Sequence, residues 1–325
     1  MFRLGQKKVF GTELSNRIIW ILGVMFIQFL VVGSGVLTSL FYNLFDKVVS
    51  YPDMPDAVVF VLSSYFVTFF PLLIYAFFYT GITKKNRFIH RSFLPGQRGN
   101  KPSKLLRGFL AGFLTNTFCV VIALIAGDIK LSLDFNIADI PFYLFAFICV
   151  FIQSSTEEVW TRGFLMERIH VHYPLWLAMV INGGLFASFH LANPGVSALP
   201  IINIFVVGVA YSVVAWQTDS IWYAMGAHTA WNFTQNLLFG LPNSGLVSRV
   251  SVFRLEAANA SDPLIYDPEF GVEGSLPATF INLALMALFL YYAYKEGRLR
   301  ELVLSYEKMQ AADQEAEMPV CEEGV

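Results

Sequence analysis

A chain of 325 residues that is 56% hydrophobic, 16% aromatic and only 14% charged, with mean hydropathy +0.56, is excluded from the soluble globular class, where about 25% of residues are charged. Its length and composition fit one compact helical bundle in a bilayer, a polytopic membrane protein with no nucleic-acid partner. The three cysteines, Cys119, Cys149 and Cys321, have no even spacing, so neither a disulfide framework nor a CxxC metal site is supported.

In chain order, residues 1–17 form a basic arm with Arg3, Lys7, Lys8 and Arg17. Residues 18–45 carry no charge and are long enough to span, too long for a cleavable signal. A polar loop to Asp56 precedes a second uncharged run, 57–83. Residues 84–107 are the most basic segment, with eight Lys or Arg. A third span is expected over 108–127, followed by an acidic connection to Asp139. The fourth runs from Ile140 to about His170. The fifth starts at Pro174 and passes His190 to reach the turn Asn193-Pro194-Gly195. Spans over 197–216 and 220–239 follow, then a polar loop, 240–273, and the last span, 274–294. The expectation is therefore an all-α polytopic membrane protein of about eight helices, a membrane domain over 18–296 with a core near 140–240, and a charged cytoplasmic tail, 297–325.

Charge sets the expected orientation. With both termini cytoplasmic, the arm, the 84–107 segment, the tail, Arg162 and Arg168 lie inside; only Lys47, Lys130, Arg249 and Arg254 lie outside. That asymmetry follows the positive-inside rule and places the 240–273 loop away from the cytoplasm, in the plasma membrane if the source is bacterial.

Within the fourth span stand Glu157, Glu158 and Arg162. A charge at mid-membrane costs about 3 kcal/mol even on lenient scales, so such residues need a reason. Glu158 and Arg162 are four apart, with the acid first, which favours an ion pair on a helix. Glu157 lies about 100° further round and lacks that partner. Phe186-x-x-x-His190 and His228-x-x-x-Asn232 follow on later spans. At 1.5 Å per residue, Glu157, His190, His228 and Asn232 come out about 13 to 25 Å above their cytoplasmic turns. Allowing for tilt, they meet at one level, an intramembrane polar site. A lone membrane histidine is more often a helix–helix hydrogen-bonding residue; the convergence is what points to chemistry.

Glu-Glu-x-x-x-Arg, Phe-x-x-x-His and His-x-x-x-Asn, in this order on successive spans, resemble the motifs of the CPBP intramembrane proteases, which include type II CAAX prenyl endopeptidases and bacteriocin-processing or immunity proteins. Glu157, Glu158, Arg162 and Gly163 match the first motif, Phe186 and His190 the second, His228 and Asn232 the third. The resemblance implies an eight-helix intramembrane endopeptidase acting on a membrane-associated peptide or protein. Glu157 and His190 would activate water, His228 and Asn232 would stabilise the oxyanion, and Glu158 and Arg162 would orient the helix, with no cofactor. Two alternatives stay open: a zinc site of Glu157, His190 and His228, and a non-proteolytic scaffold or immunity protein of the same fold.

Overall fold

The computed structural model of the chain describes residues 55–67, 69–82, 92–97, 99–258, 264–305 and 308–309. The expected basic arm, the first span at 18–45, the basic residues 84–91 and the tail beyond 309 lie outside the described residues.

The described part is mostly helix. Helix α1 (Asp56–Val61) begins after Pro55 and runs into a wide π-type turn, Leu62–Phe66; α2 covers Phe69–Ile82. Helix α3 (Pro102–Ala126) has proline in its first turn, where no intrahelical N–H is required, and stops at Gly127, whose φ of 79° suits a residue without Cβ. Helix α4 (Ile140–Glu158) continues unbroken through a π-type stretch, Val159–Met166, to His170. Helices α5 (Leu175–Ser188), α6 (Ala198–Thr218) and α7 (Ile221–Phe233, extended by Thr234–Leu238) follow, and α8 spans Leu276–Lys295. Asp219 in the left-handed conformation ends α6, and the Ser220 hydroxyl accepts from Trp222 N–H to start α7. The resulting turn is short enough to make α6 and α7 antiparallel neighbours.

Among the described residues, five helices are long and apolar enough to cross a membrane: Asp56–Phe78, Pro102–Ala126, Ile137–His170, Ala198–Thr218 and Leu276–Lys295. The chain is thus a multi-pass helical membrane protein. Helix α5, expected as a full span, is a shorter apolar helix that ends two residues before His190. The α3 helix starts six residues ahead of the expected Gly108, carrying Lys104 and Arg107 in its first turns. The fold is also not purely helical. Strand β1 (Ile129–Leu133) pairs antiparallel with β2 (Phe253–Ala258), with a register shift between Lys130 and Leu131. This sheet joins two connections expected to be irregular. Ile129 packs with Leu241, Tyr266 and Val272 over the ends of α3 and α7.

Helix α7 lies closest against α3. A Cβ built on Gly108 would stand 1.9 Å from Tyr223 O, on Gly112 2.0 Å from Ala227 O, and on Gly226 2.2 Å from Leu105 O. Only glycine permits backbones this near, which is the usual use of small residues between membrane helices. Loop 240–275 is fastened by buried carboxamides: Gln235 donates to Pro242 O, Asn236 to Leu241 O and Leu246 O, and Asn203 to Glu273 O and Ser275 O. In a bilayer such partners are what make irregular backbone tolerable.

Candidate active site

The first motif sits where α4 passes into its wide π-type stretch. Glu158 and Arg162 are both fully buried and joined at 3.0 Å, as their spacing predicts. Arg162 also donates to Thr161 Oγ1 and to Gly208 O, and its guanidinium lies over the Phe186 ring, 4.6 Å from the centroid.

Glu158 does more than pair with arginine. Its Oε1 also lies 3.0 Å from His228 Nδ1, so one oxygen holds a residue of the first motif and one of the third. Glu157 is not left without a partner either: Gln153, one turn back, donates Nε2–H to Glu157 Oε1 at 2.7 Å. The other oxygen, Oε2, has no hydrogen-bond partner among the described residues and stands 3.8 Å from His228 Nε2. Both acids therefore reach the same imidazole, from its two sides.

The histidines are oriented alike. His190 Nδ1 lies 2.9 Å from Phe186 O; a carbonyl only accepts, so Nδ1 carries the hydrogen and the neutral ring presents Nε2 as an acceptor. His228 Nδ1 faces a carboxylate, so its neutral ring likewise presents Nε2, which becomes a donor only in the imidazolium form. Phe186 thus serves the second motif twice, by its carbonyl and by a ring that packs on His190, His228 and Arg162. Asn232 donates Nδ2–H to Gln153 Oε1 at 3.1 Å.

A cavity of about 230 Å³ brings Glu157, His190, His228 and Asn232 to one surface. Its lining also includes Tyr65, Phe69 and Leu72, and Asn243, Ser244 and Leu246 of the 240–275 loop. A smaller cavity of about 50 Å³ lies behind it, sharing His190, His228, Asn232 and Ser244 and adding Glu273. Ser244 N–H donates to the Glu273 carboxylate. Burial nevertheless pushes that carboxyl up to about 7, with Ser244 and His228 acting against it. Among the described residues, no three or more His, Cys, Asp or Glu side chains are grouped so as to hold a metal ion; Glu157, His190 and His228 share the cavity without forming such a group.

Sequence reasoning missed Gln153, Asn243 and Glu273. Gln153 carried a signal, being a polar residue one turn before Glu157 in an apolar run; the other two stand in a loop without periodicity.

A family profile, Type II CAAX prenyl endopeptidase Rce1-like, matches residues 139–234, the stretch that carries all three motifs. "Uncharacterized protein YyaK" of Bacillus subtilis (strain 168) is 30% identical over 159 residues, 47% of this chain and 53% of its own length. The chain thus spans about half the length of that relative. No solved structure matches. Residues 139–234, whose motif side chains gather at one cavity, thus match the Rce1-like model of type II CAAX prenyl endopeptidases.

Proposed function

We propose that this protein is an intramembrane endopeptidase that hydrolyses a peptide bond of a membrane-associated substrate without a metal. The observation that carries this reading is the cavity shared by Glu157, His190, His228 and Asn232, with Glu157 Oε2 left without a hydrogen-bond partner among the described residues. Water attacks the scissile carbonyl carbon and gives its proton to Glu157 Oε2, with His190 Nε2 as a second acceptor. The carbonyl oxygen becomes an oxyanion, and donors aimed at that charge lower the barrier. Asn232 has one Nδ2 hydrogen not committed to Gln153, and His228 donates from Nε2 when protonated. Collapse of the intermediate breaks the C–N bond, and Glu157 returns the proton to the leaving amine.

The apolar lining of Tyr65, Phe69 and Leu72 suits a lipidated or apolar peptide segment. The lysine and arginine distribution supports cytoplasmic termini with the 240–273 loop on the opposite side. The deciding experiment is cleavage of a farnesylated C-a-a-X peptide and its unmodified form by the purified protein, with Glu157→Gln as control. Cleavage by wild type and its loss in a folded Glu157→Gln supports the reading; equal turnover by the two proteins overturns it.

A further inference from the structure

Five residues from three parts of the chain are linked by donated hydrogens that end on Glu157 at one side and on Glu273 at the other. Gln153 Nε2 donates to Glu157 Oε1 at 2.7 Å. Asn232 Nδ2 donates to Gln153 Oε1 at 3.1 Å. Asn243 Nδ2 donates to Asn232 Oδ1 at 3.4 Å and to Glu273 Oε2 at 3.4 Å. We propose that Asn243 and Glu273, which lie outside every motif, are positioning residues that fix the direction of this carboxamide chain, and with it the donor that Asn232 offers to the reaction.

A carboxamide has a donor end and an acceptor end, and the network decides which way it points. An ionised Glu157 only accepts, so Gln153 must turn its nitrogen towards it and its oxygen towards Asn232. Asn232 must then turn its nitrogen to Gln153 and its oxygen to Asn243. Asn243 completes the chain because an amide nitrogen carries two hydrogens, one for Asn232 Oδ1 and one for Glu273 Oε2. A chain with a carboxylate at each end needs one residue that donates in both directions, and Asn243 is that residue. The Glu273 carboxylate is itself held: Ser244 N–H donates to its other oxygen, and Asn203 binds its backbone carbonyl. Were Asn243 to turn over, its oxygen would face Asn232 Oδ1. Asn232 would then turn in response and present oxygen, not N–H, to the cavity. Aligned donors of this kind reinforce one another in a poorly hydrated interior.

The role in catalysis rests on the proteolytic reading; the chain itself does not, and the experiment separates them. Glu273→Gln keeps the shape but leaves one acceptor oxygen for two donors, Asn243 Nδ2 and Ser244 N–H. With the farnesylated C-a-a-X peptide, kcat should fall about tenfold or more while KM stays within about twofold, the pattern of a lost transition-state interaction. Glu273→Asp, which restores the acceptor, should recover part of that loss. Independently of activity, thermal unfolding of the detergent-solubilised protein is measured for Glu273→Gln, Gln153→Ala and the double variant. A chain predicts that the double loss is smaller than the sum, although no hydrogen bond joins the two residues directly. Wild-type kcat in Glu273→Gln, or additive losses in the unfolding cycle, would overturn the proposal. If wild type cuts neither peptide, the proteolytic reading falls, and the unfolding cycle alone decides whether the chain exists.

Discussion

Glu158 Oε1 lies 3.0 Å from both Arg162 Nη1 and His228 Nδ1, so a single buried oxygen fixes a cation and an imidazole from different helices. Removing it leaves a fully buried guanidinium without its counter-charge. Glu158→Ala should therefore destabilise the protein by about 3 to 5 kcal/mol, as breaking a buried pair does. Glu158→Gln should lower the melting temperature less, because an amide oxygen still accepts from one neighbour. Glu157→Gln should melt near wild type yet lose turnover. Matching melting curves for Glu157→Gln and Glu158→Gln would contradict this division.

In the proposed mechanism Asn232→Ala removes one donor to the oxyanion. Such a loss costs about a hundred- to a thousand-fold in kcat, with KM little changed. Chelators should leave wild-type turnover intact. Activity lost to a chelator and restored by stoichiometric zinc, with Asn232→Ala nearly wild type, would reverse the metal-free reading in favour of Glu157, His190 and His228 as ligands.

The Glu273 carboxyl gives a pH signature with opposite signs for stability and catalysis. Its folded value, about 7, lies above the ordinary 4.5, so the folded protein holds this proton more tightly than the unfolded chain. Its stabilising contribution is complete below pH 4.5 and is lost as pH rises through about 7. Turnover should move the other way, because the ionised carboxylate offers both oxygens as acceptors, to Asn243 and to Ser244 N–H, whereas the protonated carboxyl carries a hydrogen on one of them. The titratable groups facing it are His228 on α7, Tyr211 on α6 and Tyr65 in the turn after α1. Because glutamine cannot titrate, the melting temperature of wild type should fall relative to that of Glu273→Gln as pH rises from 4.5 through about 7; parallel curves would assign the titration elsewhere.

Gly112→Ala would place a Cβ 2.0 Å from Ala227 O, beside the residue that carries His228. The helices must separate, at a cost of about 1 to 3 kcal/mol by analogy with overpacked cores, and turnover should fall with stability. Gly184→Ala, where nothing stands within 4 Å of the new atom, is the control expected to behave as wild type.

The polar core of this site was legible because charge is expensive in a bilayer. Glu157, Glu158 and Arg162 stand out in an apolar run, and helical rise alone brings them level with His190, His228 and Asn232. What the spacing of Glu158 and Arg162 concealed was that Glu158 also reaches His228, since a tertiary contact leaves no periodic trace. The strands were partly legible: Ile129-Lys130-Leu131-Ser132-Leu133 alternates apolar and polar residues, a period-2 signal hidden by its place in a short connection. Asn243 and Glu273 had no such signal, because loop residues take their meaning from where the backbone returns.

The glycine seam between α3 and α7 also limits how the site can move. With Gly108 and Gly112 set against the carbonyls of Tyr223 and Ala227, α7 has no slack along that side, and His228 and Asn232 are as immobile as the helix that bears them. In the proposed reaction this face behaves as an anvil. Whatever breathing admits an extended peptide would then fall to cavity side chains away from that seam, Tyr65, Phe69 and Leu72 among them, whose rotamers can yield. Substrate range would then be written in the aromatic and aliphatic residues of α2 and the turn after α1, and could diverge between relatives while the motif helices stay unchanged.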